Sequence, residues 1–130
     1  MKPLVALAGL LLVVLQASAS SRPPISALVG DWSGTSLCEV KPSPCHDENV
    51  IFRVSNPRED KITIQGIKIV DGKETTMGVN EWTYDQSTGA LTWHIPRGDW
   101  KLIVDDNTMD GTLVVPDNVV FRKIHLKKSK

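Results

Sequence analysis

Among the side chains able to do chemistry, the densest group is Cys38 with Cys45-His46-Asp47-Glu48, four potential ligands in a row beside a second thiol. A metal site would need several of them to converge on one ion. Adjacent residues on an extended chain point to opposite faces, so few can. Cys38 and Cys45 are the only cysteines. An even pair this close, with Pro42 and Pro44 stiffening the loop between, is expected to form a disulfide. Closing so short a loop contributes about 2–2.5 kcal/mol in the chain-entropy picture. No metal and no cofactor are expected.

The remaining polar groups do not assemble into a reaction centre. His46, His94 and His125 stand beside no nucleophile in a known motif, and neither Gly-x-Ser-x-Gly nor His-Glu-x-x-His occurs. Asp47 and Glu48 diverge as strand neighbours, so they do not form an acid/base pair. Asp106, Thr108, Asp110, Gly111 and Asp117 partly imitate a calcium loop. However, helices do not flank the segment, and position twelve is Asp rather than bidentate Glu. Arg97-Gly98-Asp99 reads as a tight turn. No catalytic residue is therefore assigned, and an enzyme on this scaffold ranks only as a second alternative function.

The aromatic residues carry more promise. Trp32, Trp82, Trp93 and Trp100 supply most of the aromatic surface, with Tyr84 two residues after Trp82. Trp93 and Trp100 fall on the apolar faces of neighbouring strands and are expected to meet across the ladder. Inward-pointing indoles either fill a core or line an apolar pocket with N–H groups as polar handles. Trp82 follows a phase slip and is assigned to the rim. The expected ligand-binding set is Trp32, Trp82, Tyr84, Trp93, Trp100 and Arg122.

These residues need a frame, and the hydrophobic pattern specifies one. The mature region has no sustained helical period. Eight strand signals alternate instead with turn signals: Asp31–Val40, Asn49–Ser55, Lys61–Val70, Thr75–Tyr84, Ala90–Ile95, Trp100–Val104, Thr108–Val115 and Val119–Lys127. A phase change at Gln65-Gly66 predicts a bulge there, and Asp71-Gly72 predicts a hairpin. Short connections permit antiparallel neighbours only. Eight twisted antiparallel strands remove their edges by closing into an up-and-down barrel, with a β-sandwich as the alternative. A barrel of this size is filled by side chains or holds one small ligand.

The chain ends bound the compartment. Lys2, an apolar run over Leu4–Leu15 and an Ala17-Ser18-Ala19 step form a secretory signal peptide, residues 1–19. Its apolar run is shorter than the roughly 20 residues that span a bilayer. Removing 19 of 130 residues leaves 111, enough for one domain. Residues 20–29 form an arm ending in a short helical turn, and residues 30–130 the barrel. The formal net charge of zero falls to −1 without Lys2, which argues against a nucleic-acid partner. A monomer without a membrane span, in the periplasm or outside the cell, is expected.

Gly30-Asp31-Trp32 at the head of the first strand resembles the Gly-x-Trp motif of lipocalins and related calycin barrels, and Ser26-Ala27-Leu28-Val29 resembles the helical turn that plugs one end of those barrels. In that superfamily a basic residue of the last strand packs over the motif tryptophan, a role the resemblance gives to Arg122. It implies a calycin-like fold around a small apolar or aromatic ligand. The stretch from Ser20 to Ala27 ahead of Gly30-Asp31-Trp32 is also similar to the arm of small periplasmic inhibitors of serralysin-type metalloproteases, which inserts into the protease cleft. Cys38 and Cys45 lie closer together than that family's pair, and Pro23-Pro24 is unusual in its arm. This likeness implies the alternative partner, a secreted protease.

Overall fold

The computed structural model describes residues 3, 9–14 and 22–130. Most of the proposed leader, its cleavage region and Ser20-Ser21 of the arm lie outside the described residues. Eight strands follow one another: β1 (Gly30–Cys38), β2 (Glu48–Arg58), β3 (Lys61–Val70), β4 (Lys73–Asp85), β5 (Ala90–Ile95), β6 (Gly98–Asp105), β7 (Thr108–Val115) and β8 (Val119–Lys128). Each pairs antiparallel with its sequence neighbour, and β8 returns to β1, so the sheet closes into an up-and-down barrel. The architecture is all-β, compatible with a calycin-like fold.

Period-two burial explains the closure. Phe52, Val54, Ile62, Ile64, Leu91, Leu102, Val104, Ile124 and Leu126 alternate with outward, mostly polar residues and are almost fully buried. Two inward glycines let the wall curve. A Cβ on Gly34 would lie 1.9 Å from the His125 carbonyl oxygen, and one on Gly111 1.9 Å from that of Lys101. At these two points only glycine lets the strands approach. The β3–β4 hairpin turns through Asp71 and Gly72, both at positive φ (52° and 76°), as a two-residue turn of the right hand for twisted strands requires.

Besides a register shift between Ser55 and Arg58 beside the β2–β3 turn, two bulges interrupt the ladders. β2 and β3 pair without interruption from Asn49↔Ile69 to Ser55↔Thr63. The irregularity predicted at Gly66 lies in the pairing of β3 with β4, where Gly66 faces Gly78 and Ile67 faces Thr76, leaving Met77 as the extra residue. Val79 is then simply outward and Trp82 inward, so the expected slip between them is absent. In the second irregularity, Leu113 faces Arg122 and Val114 faces Val120, so Phe121 is the extra residue.

One seam is incomplete. β4 and β5 pair only through Thr83↔Thr92, Tyr84↔Leu91 and Asp85↔Ala90. Beyond these, the rest of β4 pairs only with β3, and Trp93–Ile95 only with β6. The wall therefore divides on the side of the barrel where β4 begins and β5 ends.

The opposite end is plugged by a 3₁₀ turn, Ile25–Leu28. Leu28 and Trp32 are 0% exposed, and the Trp32 indole N–H donates to the Leu28 carbonyl at 2.8 Å. Tyr84 donates its hydroxyl to the Pro23 carbonyl at 2.6 Å, and Arg22 donates to the Ser87 carbonyl at 3.2 Å. The arm is thus held on the barrel end from Arg22 onward. Burial of Tyr84 raises its phenol above the usual value.

Cys38 and Cys45 form the expected disulfide, with Cα atoms 5.9 Å apart. Asp47 accepts a bond from the Cys38 backbone N–H at 2.7 Å, so one candidate ligand of the metal reading is used to tie the loop. Among the described residues no helix is long and apolar enough to cross a membrane.

Candidate functional site

The unplugged end holds a cup of about 530 Å³. Its floor is Trp82, 3% exposed, with Phe52 and Ile64 beside it. Register places the walls. Trp93 faces Trp100 directly across β5 and β6, and both remain half-buried. Ile95, Leu113 and Val115 continue the wall toward the rim, and Phe121 reaches the cup from the β8 bulge. On the far lip, Gly66, Met77, Gly78 and Asn80 complete the lining. Both edges of the divided β4–β5 seam thus border the cavity.

Four rings form one aromatic surface. Trp93 and Trp100 stack with centroids 6.3 Å apart and planes at 26°. Trp82 lies 5.8 Å from Trp93 and 5.9 Å from Trp100, the latter edge-on. Phe52 lies 6.0 Å from Trp82 and 6.4 Å from Trp100. Such distances favour offset and edge contacts between rings. Gly66 and Gly78 leave the opposite wall low: a Cβ on Gly66 would meet nothing closer than 3.8 Å. Room of this kind at an inward strand glycine marks a place where another group can approach.

The polar content of the cup is small. Among the described residues, Asn80 and Arg97 are its only polar side chains besides the indole N–H groups, and Arg97 is its only charge. A concave, mostly aromatic site with few polar handles suits one small apolar ligand.

The expected binding set divides between the two ends. Trp93 and Trp100 meet as expected and line the cup. Trp82 lines it as the floor, not the rim, because regular alternation after the Met77 bulge turns it inward. Trp32 and Tyr84 lie in the plugged half, each bonded to a backbone carbonyl there, and neither lines the cup.

Arg122 does not cover Trp32. The residue over that ring is Lys128, with Nζ 5.8 Å from the centroid and donating to the Ala27 carbonyl. Lys128 is the register partner of Trp32, whereas Arg122 pairs with Cys38, six residues and roughly 20 Å away along the strand. Arg122 instead donates to the Ser36 carbonyl, the Ser36 hydroxyl and the His46 carbonyl at 3.3, 3.2 and 3.0 Å. Glu48 lies 3.9 Å from it. Its role is to fasten the disulfide loop over the barrel.

The other candidates stay dispersed. His94 pairs with Asp99 and His125 with Asp110 on the outer surface. Asp106 lies in the β6–β7 turn and Asp117 beyond the other end of β7, so the calcium-like run is pulled apart by a full strand. Among the described residues no three His, Cys, Asp or Glu side chains gather as a metal site.

Arg97, Asn80, Phe121 and Phe52 are cup residues that sequence reasoning missed. The phase change at Gly66 was the one local signal of the low wall. The chain matches no protein-family model and no curated protein.

Proposed function

We propose that this chain is an exported, calycin-like barrel that binds one small, flat, largely apolar ligand in its open cup. The observation that carries the reading is the cavity of about 530 Å³ lined by Trp82, Trp93, Trp100 and Phe52. Half-buried indoles around a void are an unusual use of large apolar surface in a small barrel, and ligand burial gives that surface a purpose. Export is supported by the leader pattern at residues 1–19 and by the Cys38–Cys45 disulfide, which suits an oxidising compartment. An inhibitor would need a projecting arm and a filled barrel. Arg22–Leu28 is bonded to the plugged end and the other end is hollow, so ligand binding is the better-supported reading.

The test is a fluorescence titration with N-phenyl-1-naphthylamine, an uncharged aromatic probe. Its emission is expected to rise, shift to the blue and saturate at one probe per chain. Gly66→Leu, which directs a side chain into the cup without a backbone clash, is expected to abolish the signal while the far-ultraviolet spectrum stays unchanged. No probe response from the wild-type chain would overturn the reading.

A further inference from the structure

We propose that the cup selects planar aromatic anions, with Arg97 binding the anionic group at the rim; this rests on reading the cup as a ligand site. Three observations converge on it. Among the described residues, Arg97 is the single charged side chain in a lining that is aromatic and aliphatic apart from Asn80. It lies in the β5–β6 turn, and the pairing of Ile95 with Gly98 fixes that turn directly above the Trp93–Trp100 pair. A ring resting on those indoles therefore brings a substituent toward the guanidinium.

Arg97 is also uncommitted. Among the described residues, Arg53 is held by Asp31 and Glu74, Arg58 by Glu81, and Arg122 by Ser36, the His46 carbonyl and Glu48. Arg97 has no such hydrogen bond or ion pair there. Its nearest acid in sequence, Asp99, is taken up by His94. An unpaired guanidinium at the edge of a low-dielectric cup attracts an anion more strongly than the same group in open water. Its planar fork matches a carboxylate or sulfonate.

Ring geometry sets the shape of the ligand. Centroids 6.3 Å apart leave no space for a third ring between Trp93 and Trp100, since a sandwiched ring needs about 7 Å. The ligand stacks onto the pair from the cavity side, with Trp82 beneath it.

Two probes with one skeleton test this. 8-Anilinonaphthalene-1-sulfonate is N-phenyl-1-naphthylamine with a sulfonate added. Arg97 is exposed on a turn, so Arg97→Gln leaves the barrel intact. Arg97→Gln is expected to weaken the sulfonate probe about fivefold more than the neutral probe at low salt, with a smaller difference at high salt. Arg97→Lys should restore part of the affinity. If both probes bind the wild type and Arg97→Gln weakens neither, or both equally, the anion preference is overturned and the cup reading survives. If neither probe binds the wild type, the cup reading fails first and the preference falls with it.

Discussion

The two halves of this barrel use the same residue types to opposite ends. In the plugged half, Trp32 is fully buried, its N–H spent on the Leu28 carbonyl and its ring covered by Lys128. In the open half, Trp93 and Trp100 are half-buried, stack on each other and border a void. Glycine divides the same way. Gly111 is required by strands that touch, while Gly66 leaves space that nothing occupies. The difference teaches that one half spends its aromatic surface on packing, while the other leaves it facing a cavity.

The sharpest way to break that division is to truncate a tryptophan in each half. Trp32→Ala is expected to destabilise the protein by about 4 kcal/mol, the ordinary loss for a fully packed indole. Trp100→Ala should lose about 1–2 kcal/mol because part of its surface is already wet, yet it should abolish probe binding. Urea unfolding of both variants checks this, and equal losses would erase the distinction. The glycines give the next contrast. Gly111→Ala should lose about 3 kcal/mol through the clash with the Lys101 carbonyl. Gly66→Ala should stay within about 1 kcal/mol of wild type.

Smaller effects sharpen the picture of the plug. Tyr84→Phe removes the hydrogen bond that holds Pro23 and is expected to lose about 1 kcal/mol by the same unfolding measurement, without changing probe affinity. The smallest effect is electrostatic. The Arg53 guanidinium beside Asp31 holds that carboxyl below its usual value of 3.8. A depressed folded-state value means the stabilisation is present above the unfolded value and fades as pH falls through the lower folded one. Asp31→Asn should therefore lose up to about 1 kcal/mol at pH 7 and less at pH 2, measured as the gap between its unfolding curves and those of wild type.

Local pattern made the strands, the turns and the disulfide legible. Trp93 and Trp100 could be paired because alternation plus a short turn fixes which residues of a hairpin face one another. Trp82 was misplaced because Met77 and Val79 share a parity and read as an inward face. One is in fact a bulge residue and the other points to solvent. The last strand carries several cations, and parity alone does not tell which end of the barrel each reaches. So Lys128, not Arg122, covers Trp32. Asn80, Arg97 and Phe121 come from three separated segments that meet only when the sheet closes. No window of sequence contains that meeting, and the Phe121 bulge further turns an outward position inward.

The most direct test follows the four tryptophan indole N–H signals by ¹⁵N–¹H nuclear magnetic resonance while N-phenyl-1-naphthylamine is added. A barrel with one sealed and one open half predicts that the signals of Trp82, Trp93 and Trp100 shift in a saturable way while that of Trp32 stays fixed. A Trp32 signal that moves as far as the others, or four signals that never move, would contradict it.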